Sequence, residues 1–385
     1  MRVLRTGFLL AFIAALTACS SSANLPPPRP LPVNPHQIAV HTQWSLDVGG
    51  GGGDQLLGLA PDASGSMVVA ASKGGHVVAV NASNGHIEWQ RHVKAKSQLS
   101  GGPAIADGLI ALGTRSGEVI ALDAATGKTQ WTQSVGAPVI ASPAIGNGQV
   151  VVTTLAGDLL GLDEKTGAEQ WTQSNPAPDL ALRTATRPLI VNSVAYGGFA
   201  DGKAMAVDMT SGKQLWIKQI AAGEGGNLVA NLVDVGHRMA YAGGNLYVAT
   251  YQGNLSALVA SNGQVVWNRK LSSYTGVTLD AAHLYVSDAD GSIHAYDLVT
   301  GVPTWRYSKL GYRALSAAVA YGSLVVVGDH FGFLHFLDRN TGHYLGRIKM
   351  GDGAIRMAPL VVGKNLIVLG GGGELVAYRV AAKGK

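Results

Sequence analysis

Gly117-Glu-Val-Ile-Ala-Leu-Asp123-Ala-Ala-Thr126-Gly127-Lys-Thr-Gln-Trp131 and Gly157-Asp-Leu-Leu-Gly-Leu-Asp163-Glu-Lys-Thr166-Gly167-Ala-Glu-Gln-Trp171 share one frame. The frame recurs from Gly75 to Trp89, Gly202 to Trp216, Gly253 to Trp267, Gly291 to Trp305 and Gly332 to Gly346, always fourteen residues from first to last. An eighth copy opens at Gly373 and ends with the chain, while Trp44, near the other end, supplies the missing second half. All seven tryptophans (Trp44, Trp89, Trp131, Trp171, Trp216, Trp267, Trp305) fall into the frame, at spacings of 45, 42, 40, 45, 51 and 38 residues. That is the period of a four-stranded propeller blade.

Each part of the frame has a physical reason. Glu118 to Asp123 has the composition and alternation of a strand, and Thr-Gly after the Asp makes a turn in which glycine accepts positive φ. The Asp can accept backbone N–H bonds, so its recurrence at Asp123, Asp163, Asp208, Asp297 and Asp338 reads as architecture rather than catalysis. The tryptophan is expected to cover the surface between neighbouring sheets. Asn81 and Val259 replace the Asp, and Gly346 replaces the Trp, so the seventh blade is expected to be the loosest packed. Two further strands precede each frame, as in Pro103–Ala106 and Leu109–Leu112. The expectation is an all-β fold, one eight-bladed β-propeller of four-stranded antiparallel blades over residues 36–382. Pairing of the N- and C-terminal strands closes the ring and removes its exposed edges.

Composition agrees and excludes other classes. The 385 residues are 47% hydrophobic and 14% charged, which is globular, and 29 basic against 24 acidic groups are too evenly balanced for a nucleic-acid binder. A single cysteine, Cys19, rules out an intrachain disulfide framework and a cysteine-based metal site.

Arg2 and Arg5 precede an apolar run from Gly7 to Leu16, the pattern of a secretory signal too short to span a bilayer. Leu16-Thr-Ala-Cys19 resembles the lipobox of bacterial lipoproteins. That resemblance implies a signal peptide over 1–18, lipidation of Cys19 and, with Ser20 rather than Asp after it, an outer-membrane location facing the periplasm. Residues 19–35 read as a Ser/Pro-rich tether, extended at roughly 3.1 Å per residue.

The repeat Ala-x-Asp-x-x-Thr-Gly-x-x-x-Trp resembles that of quinoprotein dehydrogenases, which implies pyrroloquinoline quinone and calcium at the hub as the enzyme alternative. That family's adjacent cysteine pair is absent here. Asp288-Ala-Asp290-Gly291 lacks the further ligands of a calcium loop. The eleven histidines form no His-Glu-x-x-His pair, and His330 and His335 read as surface or packing residues. Gly49 to Gly53 lacks the Lys-Ser/Thr of a phosphate loop. No catalytic, cofactor or metal residues are assigned.

The longest departures from the repeat flank the fourth blade, at 172–201 and 217–252. Loops on a rigid scaffold carry recognition. Leu180-Ala-Leu182-Arg183 sets two apolar residues beside an arginine, an interface-anchor composition, although Leu180 and Leu182 could equally begin an inner strand. With the lipobox, the tether and the closed eight-bladed ring, this segment resembles the BamB family of outer-membrane β-barrel assembly lipoproteins. The resemblance implies a non-catalytic scaffold that binds the periplasmic POTRA domains of BamA and sits among the other BAM subunits, with unfolded outer-membrane proteins as possible further ligands. It makes Leu180, Leu182, Arg183 and Asp234 the partner-binding residues. The family's second acidic position falls on Gly236 here.

Overall fold

The computed structural model describes residues 26–50, 58–182 and 185–383. The expected signal peptide, Cys19 and Arg183 lie outside the described residues, as does most of the glycine run.

Eight antiparallel sheets are arranged as blades. Blades 1 to 4 occupy residues 62–92, 99–134, 144–174 and 189–219, and blades 5 to 7 occupy 240–270, 278–307 and 319–349. In each, the chain moves outward from a short inner strand to an outer one, through tight hairpins. Blade 8 is shared by the two ends. Leu360–Val362, Asn365–Leu369 and Glu374–Ala382 are its inner three strands, and Ile38–Asp47 pairs with the last of them from Ile38↔Ala382 to Asp47↔Glu374. The ring is closed as the split repeat requires. Blade 2 gains a fifth, parallel strand from Gly58–Leu59.

The frame has the expected chemistry. Thr126 donates to Asp123 Oδ1 from its hydroxyl at 2.6 Å and from its N–H at 2.8 Å. Asp163, Asp208, Asp297 and Asp338 make the same pair of bonds in their own turns. At Asp123, Asp163, Asp208 and Asp297 the Thr or Ser hydroxyl holds the carboxyl below its usual range. The tryptophan sits inside the outer strand, which runs on for three residues beyond it at Trp131. Its indole crosses to the next blade. Nε1–H of Trp44, Trp89, Trp131, Trp216, Trp267 and Trp305 each donates to a carbonyl just after the following blade's Asp position, at 2.8 to 3.1 Å. The turn glycine makes room: a Cβ on Gly127, already at φ +69°, would lie 2.5 Å from Trp89 Cε3.

Trp171 differs. Its Nε1–H donates to Gln149 Oε1 at 2.8 Å, and Gln149 Nε2 passes the connection to the Met209 carbonyl of blade 4 at 2.9 Å. A buried glutamine thus relays the bond across an interface that the other six span directly.

The seventh blade departs from expectation. Gly346 leaves a vacancy, but the chain's own N-terminal segment fills it. A Cβ on Gly346 would meet Asn34 Oδ1 at 3.0 Å and Ile38 Cγ1 at 3.1 Å. Ile38 is 8% exposed and packs with Tyr321, Phe336 and Tyr378. Asn34 exchanges hydrogen bonds with the Arg347 backbone, Arg347 donates to the Pro32 carbonyl at 2.7 Å, and Arg29 N–H donates to the Gly311 carbonyl at 2.9 Å. The free tether expected up to residue 35 is therefore shorter, because the stretch from Arg29 onward is docked. Beneath it lies a buried network in which Arg313 Nε is 2.7 Å, and His335 Nε2 3.1 Å, from Asp329 Oδ2. His335 is a packing residue.

Candidate functional site

The two excursions beside blade 4 lie against one another. Arg187 N–H donates to the His237 carbonyl, His237 N–H to the Tyr274 carbonyl, and the buried Thr186 hydroxyl to the Val235 carbonyl. Thr153 of blade 3 donates to the Thr186 carbonyl at 2.8 Å, so blades 3 and 4 and both excursions are tied into one unit.

Leu180 and Leu182 do not begin an inner strand. That strand starts at Leu189, and 176–182 is a loop over a cleft of about 430 Å³ between blades 3 and 4. Pro138, Leu155, Phe199 and Ala181 contribute to its walls. Leu180 is 40% exposed, while Leu182 is half-buried. The structure joins Leu182 to Asp234: its N–H donates to Asp234 Oδ1 at 3.1 Å.

Asp234 is not on the surface. It is 2% exposed, so it cannot itself form the acidic part of an exposed face. Its place is at the base of the loop, anchoring the segment that presents Leu180. Oδ2 is buried with no hydrogen-bond partner among the described residues, and burial pushes the carboxyl up to about 6. The exposed carboxylates here are Asp179, next to Leu180 on the cleft wall, and Glu224 on the second excursion. Sequence reasoning passed over both.

Gly236 has a steric cause. A Cβ there would lie 2.7 Å from Gly276 N and 2.8 Å from its Cα, so the approach of the blade 5–6 connection excludes any side chain. The second excursion also carries a 3₁₀ turn, Val229–Asn231, with Leu228 68% and Val229 63% exposed. Its glycine-rich setting hid this apolar pair from a periodicity argument. Gln252 Nε2 holds the turn through the Val229 carbonyl at 3.0 Å.

Calcium does not fit. Among the described residues no three His, Cys, Asp or Glu side chains converge as a metal site. The oxygens of Asp288 are engaged by Ser292 N–H and by His294 Nε2, each at 2.7 Å.

The sequence model of the family described as outer membrane protein assembly factor BamB matches residues 74–307. A protein of that name from Pseudomonas aeruginosa is 42% identical over 97% of this chain and 98% of its own length. The crystal structure of BamB from Moraxella catarrhalis superposes with a TM-score of 0.80 and 28% identity, over 89% of this chain and all of that one. Quinohemoprotein alcohol dehydrogenase from Comamonas testosteroni has a TM-score of 0.69 at 14% identity, over 93% of this chain and 78% of that one, a likeness of fold alone.

Proposed function

The chain belongs to the BamB family of outer-membrane protein assembly factors, and from that premise we propose that it is a non-catalytic scaffold of the β-barrel assembly machine, binding the periplasmic POTRA domains of BamA. In this reading Cys19 carries the lipid anchor, the ring faces the periplasm from the outer membrane, and Leu180, Leu182 and Arg183 form the contact.

The observation that carries the reading is the exposed Leu180 on a loop whose base is clamped by Asp234 through Leu182 N–H. An apolar anchor on a pre-ordered segment loses little conformational freedom on binding. Asp234 then acts as a positioning residue, and Asp179 is the carboxylate available to a partner's basic group. Client chains would meet a different surface, the outer strands of blades 4 and 5, which expose Leu215, Val265 and Val266 beside backbone that has no further strand.

The test is recovery of BamA with the affinity-tagged protein from membranes in mild detergent. Arg183→Glu is expected to lose BamA while circular dichroism and melting stay unchanged. Undiminished recovery would reject the assigned face. Dye-linked alcohol oxidation by purified protein given pyrroloquinoline quinone and calcium would overturn the non-catalytic part.

A further inference from the structure

The outer wall of the ring differs from blade to blade. The outer strands of blades 1 and 3 expose Glu88 and Glu169, whereas Val299 to Lys309, the outer hairpin of blade 6 and the residues that follow it, contains no carboxylate. Val299 is 72% and Val302 53% exposed at one end of this wall, and Arg306 and Lys309 are exposed toward the other. Arg306 donates to Ser292 Oγ at 3.0 Å and lies 3.9 Å from Asp288 Oδ2, an oxygen already held by His294 at 2.7 Å. More than half of its side chain stays in solvent. Asp297, at the root of the hairpin, is engaged by Thr300, and the exposed Asp290 belongs to the hairpin between the second and third strands of the blade.

The docked N-terminal segment extends the same surface. Arg29 joins the end of the wall through its N–H to the Gly311 carbonyl and through Nη1 to the Ser308 carbonyl at 3.4 Å. Val33, four residues on, is 88% exposed, more than any other large apolar side chain among the described residues. From Cys19 to Ile38 the chain holds no acidic residue. Ten residues separate Cys19 from Arg29, about 31 Å when extended.

Aliphatic side chains among Lys and Arg suit the interface of an anionic bilayer, where the apolar groups enter the headgroup boundary and the cations meet lipid phosphate. Two observations select lipid over a protein as the occupant. The wall presents cations without carboxylates, and the chain that leads to the proposed anchor leaves the body at its edge. We propose that the blade 6 outer hairpin and the docked N-terminal segment form a lipid-facing wall, with Val33, Val299 and Val302 in the headgroup boundary and Arg29, Arg306 and Lys309 on the phosphates of anionic phospholipids. The wall adjoins the outer strands of blades 4 and 5 given to client chains and does not include them. It builds on the outer-membrane reading and adds which side of the ring meets the bilayer.

The experiment is cosedimentation of the mature chain carrying Cys19→Ser, which has no acylation site, so the result does not depend on the anchor. One arm uses vesicles of phosphatidylglycerol and phosphatidylethanolamine, the other vesicles of phosphatidylcholine. Bound protein should be at least about fivefold higher in the anionic arm and fall as salt rises. Val302→Glu combined with Arg306→Glu should abolish the difference. Lys128→Glu combined with Lys165→Glu, on the exposed outer hairpins of blades 2 and 3, should leave it intact. Circular dichroism of the first pair, and BamA recovery by its acylated form, should be unchanged, which separates loss of lipid contact from failure of the partner reading. Should that pair not fold, Val299→Glu, on an exposed turn, takes its place, with an expected loss of at least about threefold. Equal sedimentation in both arms, an undiminished difference in the folded variant, or an equal loss in the Lys128 and Lys165 pair overturns the proposal. So does loss of BamA recovery with lipid binding intact, which would assign the wall to a protein.

Discussion

The rim of tryptophan-docked hairpins and the two excursions beside blade 4 follow opposite rules. Around the rim each indole is 6–9% exposed and its N–H has an acceptor, and each turn Asp is saturated by the Thr or Ser three residues on. In the excursions Leu180, Leu228 and Val229 face solvent, and a carboxylate oxygen of Asp234 is buried without a hydrogen-bond partner among the described residues. The tryptophans and turn aspartates of the repeat hold neighbouring blades together with their polar groups satisfied, whereas the excursions carry exposed apolar side chains on loops and a buried carboxylate oxygen left unpaired among the described residues. Stability and recognition are thereby separated along the chain, and substitutions should separate them too.

The largest effect is expected at Trp131→Ala, which removes the indole between blades 2 and 3. A loss of about 3–5 kcal/mol should appear in urea unfolding, with BamA recovery by the folded fraction retained. A smaller loss of stability, under about 1 kcal/mol, would mean the blades are held by strand packing alone.

Asp234→Asn comes next, and its sign depends on pH. The carboxyl titrates at about 6 folded and near 3.8 unfolded, so the folded form binds its proton more tightly. Stability linked to that proton is complete below the unfolded value and is lost as pH rises through 4 to 6. By neutral pH the ionised group costs about 3 kcal/mol. Asparagine keeps an acceptor for Leu182 N–H without the charge, so the variant should melt higher than the wild type at pH 7.5 and equally at pH 4. Parallel melting curves across this range would place a compensating cation beside the carboxylate.

Ile38→Ala, in the seat that Gly346 leaves open, should cost about 2 kcal/mol, measurable by the same unfolding titration. A negligible change would make that segment ornamental. Least of all, Leu180→Ala should move stability by no more than about 0.5 kcal/mol, yet reduce BamA recovery. If instead it destabilised the fold without altering recovery, the contrast between rim and excursion would fail.

The ring was legible because its determinants are local and periodic: glycine, Asp, Thr-Gly and Trp at fixed distances produce a hairpin wherever they occur, and two half-frames at the ends can only complete one another. What escaped depends on contacts far apart in sequence. Gln149 enters the Trp171 interface through a strand twenty-two residues earlier. Ile38 belongs to no frame, yet takes the place of a missing indole beside Gly346. Gly236 is required by Gly276, on the next blade connection. The loop at 176–182 was half legible: composition left Leu180 open as either an exposed anchor or the start of an inner strand, and the burial of Asp234 was not visible, since no local pattern distinguishes a clamping carboxylate from a contacting one.

The docking of residues 29–37 also has a mechanical meaning. With the lipid anchor proposed at Cys19, a tether would transmit every tug to the first attached residue of the body it holds, and that residue would otherwise be Ile38, at the open end of the closing strand pair, where force unzips one bond at a time. Arg29, Pro32 and Asn34 take the pull first, through bonds to Gly311 and Arg347. In that anchored arrangement the segment would work as a strain relief on a cable, keeping traction on the upstream chain from reaching the clasp of the ring.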